Sequence, residues 1–132
     1  MIGLDTNVLV RYLAQDDPRQ SALATRLMEG LSVSAPGYVS QVSLVELVWV
    51  LTSCYRLPKA ELVALLETLL RSQELVIERA DLAWKALHRF SVANADFADC
   101  LIERSADSAG CEKVMTFDAK AARTAGMHLL EG

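Results

Sequence analysis

The chain has 132 residues, of which 52% are hydrophobic and 23% charged, with a formal net charge of −4. This length allows one domain with a buried core, and the composition excludes a disordered chain. The excess of acids argues against a passive nucleic-acid-binding protein, which needs cationic surface to displace counterions from phosphates.

Hydrophobic spacing, caps and helix-breaking residues predict short strands that alternate with helices. Strands are predicted at 2–4, 32–34, 75–78, 113–116 and 127–130. Helices are predicted at 7–14, from Asp16–Pro18 through 21–31, and at 42–55, 58–71, 81–90, 94–109 and 118–125, with Asp81 and Asn94 as caps.

Strands separated by helices imply parallel pairing through right-handed crossovers. We therefore predict an α/β fold, a three-layer sandwich with a mostly parallel, roughly five-stranded sheet flanked by helices. No linker or repeat divides residues 1–132, so we predict a single domain. Leu23 and Leu27 share a helix face, and leucines form a stripe over 62–70; each face is either core or a dimer surface.

The ends and the cysteines give expectations about location. No basic segment precedes Asp5, so no signal peptide is predicted. The longest aliphatic or aromatic run, 47–51, is too short to cross a bilayer. Cys54, Cys100 and Cys111 are odd in number and widely spaced, which predicts reduced core thiols in a cytoplasmic protein without membrane association.

Three acids stand in apolar surroundings. Glu46 is the only charged residue between Glu29 and Arg56, in a helix predicted to be mostly buried. Asp5 is the only charged residue among the first ten, and Asp99 lies within an apolar helix. A buried carboxylate is disfavoured unless a basic partner, protonation or a bound cation relieves it.

Carboxylates that converge on one crevice suit Mg²⁺ or Mn²⁺, because hard cations prefer oxygen ligands. Asp5 and Asp118 follow predicted strands, which places them at the carboxyl edge of the sheet. Taken alone, Asp5 is better interpreted as the cap of the helix that starts near Asn7, whereas Asp118 fits a cap and a metal ligand equally well. Asp96 stabilises a first helical turn or shares a cation with Asp99.

Other chemistries have little support. His88 and His128 are isolated and lack the spacing of a zinc site. The sequence contains no Cys-x-x-Cys motif, no Gly-x-Ser-x-Gly elbow and no glycine-rich phosphate loop.

The acidic segments resemble the motifs of PIN-domain nucleases. The similar segments, in order over most of the chain, are LDTNVL at 4–9, SLVEL at 43–47, ADFADCLI at 95–102 and TFD at 116–118. The resemblance implies that Asp5, Glu46 and Asp99 are the core catalytic and metal-binding acids, with Asp118 as the fourth. Asp96 is an extra acid found in part of the family, and Cys100 stands where alanine is common. Thr6, Asn7 and Thr116 would be polar supports of the site.

Length and motifs together resemble the VapC-type toxins of bacterial and archaeal type II toxin–antitoxin pairs. This resemblance implies a Mg²⁺-dependent endoribonuclease, a homodimer, and inhibition by a small VapB-like antitoxin. Arg11 and Arg123 are candidates for holding the RNA backbone.

Two other functions remain open from the sequence. One is an acidic α/β phosphoryl-transfer or receiver-like domain, in which Asp5 is a nucleophile or phosphoacceptor. This alternative does not account for Glu46 in the middle of an apolar helix. The other is a non-catalytic PIN-like module that binds RNA or protein and keeps its acids for structure. Metal-dependent cleavage of RNA distinguishes the three.

Overall fold

The computed structural model describes all residues, Met1–Gly132, and the chain divides into two compact units, Met1–Ala80 and Asp81–Gly132. The elements up to the boundary are β1 (Ile2–Gly3), α1 (Thr6–Ala14), α2 (Pro18–Glu29), β2 (Gly37–Val39), α3 (Gln41–Ser53), α4 (Lys59–Arg71) and β3 (Leu75–Ile77). From the boundary onward they are α5 (Ala80–Val92), α6 (Phe97–Ser108), β4 (Met115–Thr116), α7 (Ala119–Thr124) and β5 (His128–Leu129). The predicted α/β class is confirmed.

The strands form two small parallel sheets. In the first unit the order is β1-β2-β3, with Ile2 opposite Gly37 and Gly37 opposite Leu75. In the second unit β4 pairs with β5, and Met115 lies opposite His128. Parallel pairing is therefore confirmed, but the single five-stranded sheet is not, since strands of two or three residues form one sheet of three and one of two. The three-layer arrangement and the single domain stay predictions.

The predicted strand at 32–34 is wrong, and β2 begins instead at Gly37. Ser32 and Ala35 exchange two backbone hydrogen bonds of 3.2 Å, and the Ser32 hydroxyl also accepts from the Ala35 N–H. Serine thus closes a turn where a strand was expected. Gly37 is buried in the sheet, where an added Cβ would lie 2.7 Å from Leu4 Cδ1. A side chain at this position would displace Leu4, so close packing, and not a turn, favours glycine there.

Two predicted helix starts are also displaced. The helix predicted from Asn94 begins at Phe97, with Asp96 as its cap, because the Asp96 carboxylate accepts from the Asp99 N–H. A helix leaves its first N–H groups without partners, and the nearest side-chain acceptor decides where it starts. Asp81 lies in the first turn of α5 and is not its cap, since that helix begins at Ala80.

The core of the first unit depends on α3 and α4. Leu44, Leu47 and Leu51 of α3 are at most 2% exposed. The leucine stripe of α4 is core, because Leu62, Leu66 and Leu69 are buried. In α2 the buried residues are Ser21 and Ala24, whereas Leu23 and Leu27 are 53% and 39% exposed. The predicted apolar face of α2 therefore lies on the surface of this unit.

The cysteines differ from the prediction of three core thiols. None of the three forms a disulfide, and only Cys100 is buried, while Cys54 and Cys111 are exposed. Cys54 follows the end of α3 and Cys111 follows α6, so neither lies on an inward helix face. None of the helices combines the length and the apolarity needed to cross a membrane.

Replacing Leu47 by alanine should lower the free energy of unfolding by about 2–5 kcal/mol, because truncating a fully buried leucine leaves a cavity. Val42 of the same helix is 69% exposed, and Val42→Ala should change it by no more than about 0.5 kcal/mol. Urea unfolding followed by circular dichroism measures both. Equal effects of the two substitutions would show that α3 is not packed as described.

Candidate active site

In the first unit the carboxyl ends of the parallel strands carry polar side chains. Asp5 follows β1 and caps α1, with its Oδ1 accepting the Thr6 N–H at 2.8 Å. Ser40 follows β2 and caps α3 by accepting the Ser43 N–H. Glu78 follows β3 and accepts the Gln41 N–H at 2.9 Å. Strand register and helix capping thus place two acids at one edge of this sheet.

Thr6 connects Asp5 with Glu46. Its hydroxyl donates to Glu46 Oε1 at 3.0 Å, while its backbone N–H donates to Asp5. Thr6 is only 6% exposed, so its rotamer is fixed by packing. Two carboxylates separated by 41 positions in the sequence therefore share one threonine, and no Arg or Lys forms an ion pair with either.

Glu46 lies on the surface of its unit, contrary to the expectation of a buried acid. Val42, Glu46 and Trp49, at spacings of four and three, form the exposed face of α3. The leucines of this helix point into the core instead. The apolar residues around Glu46 in the sequence therefore gave a wrong expectation of burial. Because Glu46 is exposed, its negative charge does not have to be compensated by a partner.

In the second unit, Asp96 and Asp99 lie at the start of α6. Asp96 Oδ1 accepts the Asp99 N–H at 3.2 Å, which gives Asp96 the capping role. Asp99 lies in the first helical turn and is half-buried. The N-terminal end of a helix stabilises negative charge, which favours both Asp96 and Asp99 at this position.

Asp118 is the third acid of this unit. It caps α7, with Oδ1 accepting N–H groups of Lys120 at 2.8 Å and Ala121 at 3.2 Å. The Thr116 hydroxyl accepts the Asp118 N–H at 3.0 Å and fixes the turn after β4. Between them Phe117 is 83% exposed.

The electrostatics of the second unit centre on Asp99. Burial raises the pKa of Asp99 above its ordinary value, and the negative charges of Asp96 and Asp118 raise it further. Lys120 acts in the opposite direction but does not cancel these effects. The negative charge of Asp99 is therefore disfavoured by burial and by its two acidic neighbours.

The donor set fits a hard divalent cation. Every acid named above offers carboxylate oxygens, which suit Mg²⁺ or Mn²⁺. The neighbouring negative charges raise the pKa of Asp99, and a bound cation would lower it again. No group of three or more His, Cys, Asp or Glu side chains comes close enough together to hold a metal ion. The candidate ligands are Asp5 and Glu46 in the first unit and Asp96, Asp99 and Asp118 in the second, and neither set forms a metal-binding cluster in this structure.

The candidate RNA-binding arginines and Asn7 have different environments. Arg11 donates to Gln20 at 2.8 Å and to Asp16 at 3.2 Å, and is therefore engaged in holding α1 against α2. Arg123 is exposed in the last turn of α7. Asn7 is exposed and lines a concavity of about 290 Å³ beside α1 and α2.

The sequence analysis missed two residues at these positions. Glu78 follows β3 and accepts the Gln41 N–H in the first turn of α3, and its place as the last residue of the predicted strand 75–78 was the available sign. Phe117 was read only as part of a motif, since sequence does not reveal that an aromatic side chain next to an acid stays exposed.

Comparison with known proteins agrees with these motifs. The family model described as PIN domain matches residues 2–127. The chain belongs to the PIN domain family. It is also 24% identical over 114 residues to the VapC ribonuclease of Aquifex aeolicus (strain VF5), covering 86% of this chain and 84% of that protein.

Asp118→Ala should lower the free energy of unfolding by about 0.5–2 kcal/mol, because two N–H groups of α7 lose their acceptor. Asp118→Asn keeps an oxygen at the same position and should cost only a few tenths of a kcal/mol. Thermal and urea unfolding of both variants test this. If both are as stable as the unchanged protein, Asp118 does not act as a cap.

Proposed function

We propose that this protein is a Mg²⁺-dependent endoribonuclease that hydrolyses RNA phosphodiester bonds. The observation that carries the proposal is the arrangement of the motif acids. Asp5 and Glu46 share Thr6, and Asp99 feels the charges of Asp96 and Asp118. Membership of the PIN domain family and the ribonuclease name of the relative from Aquifex aeolicus support it.

The proposal assigns roles to carboxylates of each unit and takes residues 1–132 as one domain. The family model supports this, because its match runs through both units without interruption. The catalytic and metal-binding residues are Asp5, Glu46, Asp99 and Asp118, with Asp96 as a further ligand. Thr6, Asn7 and Thr116 are the polar supports.

In the proposed reaction, water attacks the phosphorus in line with the leaving oxygen. The bond from phosphorus to the 3′ oxygen breaks, which leaves a 5′-phosphate on one product and a 3′-hydroxyl on the other. Bound Mg²⁺ supplies charge stabilisation on the phosphoryl oxygens and a lower pKa of the attacking water.

The side chains of the chain provide positions and charge for this reaction. Thr6 fixes the Glu46 carboxylate, which orients the attacking water and accepts its proton. Asp5, which accepts the Thr6 N–H, and Asp99, at the start of α6, would be the principal ligands of the metal ion. Thr116 fixes the turn that carries Asp118.

We further propose that the protein is a cytoplasmic toxin, forms a homodimer and is neutralised by a VapB-like antitoxin. The VapC name of the relative supports the toxin role. Leu23 and Leu27, exposed on α2, supply an apolar surface for association. A short upstream gene for a DNA-binding protein would add support.

A non-catalytic PIN module is the principal alternative. It would retain the fold and the helix caps, since Asp5, Asp96 and Asp118 all cap helices. Capping does not account for Glu46, which lies in the middle of α3 and whose carboxylate accepts the Thr6 hydroxyl. A receiver-like function would use Asp5 as a phosphoacceptor and has no role for Glu46 either.

Purified protein should cleave single-stranded RNA with Mg²⁺ or Mn²⁺ and lose this activity in EDTA. Asp5→Asn, Glu46→Gln and Asp99→Asn should each lower kcat by at least about 100-fold, because each removes charge that stabilises the transition state. Gel assays with end-labelled RNA measure cleavage and identify the 5′-phosphate.

The control for these variants is the exposed acid Glu61, which lies in the first turn of α4. Glu61→Gln should cleave RNA at the unchanged rate, and circular dichroism should show the same fold in all variants. Full activity of folded Asp5→Asn, or cleavage that persists in EDTA, would contradict the proposal. Failure of the unchanged protein to cleave any RNA with either metal would favour the non-catalytic module.

Thr6→Val should lower kcat about 10-fold with little change in KM, because Glu46 loses the hydroxyl that positions it. Thr6→Ser keeps the hydroxyl and should restore most of the activity. Steady-state kinetics on a short RNA separate kcat from KM. Equal activity of the valine and serine variants would exclude a positioning role for this hydroxyl.

A further inference from the structure

The second unit has a basic concavity that the proposed catalytic residues do not use. Its volume is about 540 Å³, and it is lined by Trp84, Lys85, His88, Arg89, Glu103 and Arg104. We refer to this set as the α5–α6 concavity. Three of its side chains are cationic and one is anionic, so it has an excess of two positive charges in a chain of net charge −4.

The spacing on α5 makes this a continuous surface. Lys85, His88 and Arg89 are three and four positions apart, which places them on one helix face. All three are exposed, and no acid forms an ion pair with Lys85 or Arg89. The Arg89 Nε donates to the Thr124 carbonyl at 2.9 Å, which anchors its guanidinium while the remaining donors stay available.

The opposite wall is partly neutralised and rigid. Arg104 donates to both Glu103 oxygens, at 2.7 and 3.0 Å, and this bond raises the pKa of Arg104. The Asp107 carboxylate also lies 3.8 Å from Arg104, so this wall adds no positive charge but holds a guanidinium plane in place. Lys85 and Arg89 supply the net positive charge of the concavity.

The α5–α6 concavity lies close to the acids of the same unit along α6. Glu103 lies four residues after Asp99 on one face of α6, a rise of about 6 Å. A strand bound at Asp99 would need only a short continuation to reach the α5–α6 concavity.

We propose that the α5–α6 concavity binds the phosphate backbone of single-stranded RNA next to the cleaved bond. This inference rests on the proposed nuclease function. Proteins that hold single strands combine cationic side chains along the backbone with aromatic side chains beside the bases. Lys85 and Arg89 provide the cations and Trp84 the aromatic ring. We propose these residues for RNA binding instead of Arg11, because Arg11 is hydrogen-bonded to Asp16 and Gln20.

The test compares two double variants with the same loss of charge. Lys85→Gln with Arg89→Gln removes the cations of the concavity, and Arg19→Gln with Arg26→Gln removes two exposed cations of α2. Both are made in the Asp5→Asn background with Mg²⁺ present. Fluorescence anisotropy with a labelled single-stranded RNA then measures Kd at several salt concentrations.

We expect the concavity variant to raise Kd about 10-fold and to reduce the slope of log K against log salt by about 1.4, which is 0.7 for each lost contact with a single strand. The α2 variant should change neither beyond about 2-fold. In the Asp5 wild-type background, the concavity variant should raise KM for RNA at unchanged kcat. Lys85→Gln alone, which removes an exposed side chain that forms no ion pair, should give half the slope change if the double variant is unstable.

Equal Kd and salt slope in the two double variants would overturn the inference while leaving the nuclease proposal intact. A poly-glutamate peptide of equal charge is titrated in parallel. Peptide binding that is lost in the concavity variant, with RNA binding unchanged, would assign the surface to an acidic protein partner and also overturn it. RNA binding without any cleavage by the unchanged protein would contradict the nuclease proposal alone.

Discussion

Thr6 makes two hydrogen bonds on which the candidate site of the first unit depends. Its N–H is one of the groups that the start of α1 leaves without a helical partner, and Asp5 accepts it. Its hydroxyl is then free to donate to Glu46 on α3. Because Thr6 is nearly inaccessible, neither bond competes fully with water, and both carboxylates are held relative to the same residue. Helix capping and acid placement are thus a single arrangement.

In the second unit, too, helix capping positions the acids, but here the carboxylates also repel each other electrostatically. Asp96 and Asp118 each cap a helix, and Asp99 lies in a first turn. The N-terminal ends of helices stabilise negative charge by roughly 0.3–1 kcal/mol each, which partly offsets the repulsion between carboxylates. Asp99 still has a raised pKa, so compensation by the protein is incomplete. The proposed divalent cation would compensate the negative charge at Asp99, and the proposed RNA strand would compensate the positive charge of the α5–α6 concavity one helical turn away.

Most helices and their inward faces could be predicted from the sequence, because capping and hydrophobic spacing are local properties. Proline after Asp17 marked α2, and the leucines of α4 marked its buried face. Predictions failed where two local interpretations compete. Serines at 32–34 closed a turn, and Gly37, read as a break, became part of a strand because it packs against Leu4. Strands of two residues carry too little pattern to reveal which sheet they join.

The sequence alone determined the α/β class, the identity of the motif acids and the order in which they occur, since these follow from residue type and spacing. Tertiary structure decided which acids share a neighbour and which are exposed. Glu46 shows the difference: its apolar flanks predicted burial, but the orientation of α3 turned it outward with Val42 and Trp49. Likewise, the sequence made Arg11 a candidate for binding RNA, whereas in the fold Arg11 forms an ion pair with Asp16. The exposure and the pairing of a side chain depend on how its helix is rotated about its axis against its neighbours. The local pattern of residues in the sequence does not specify that rotation.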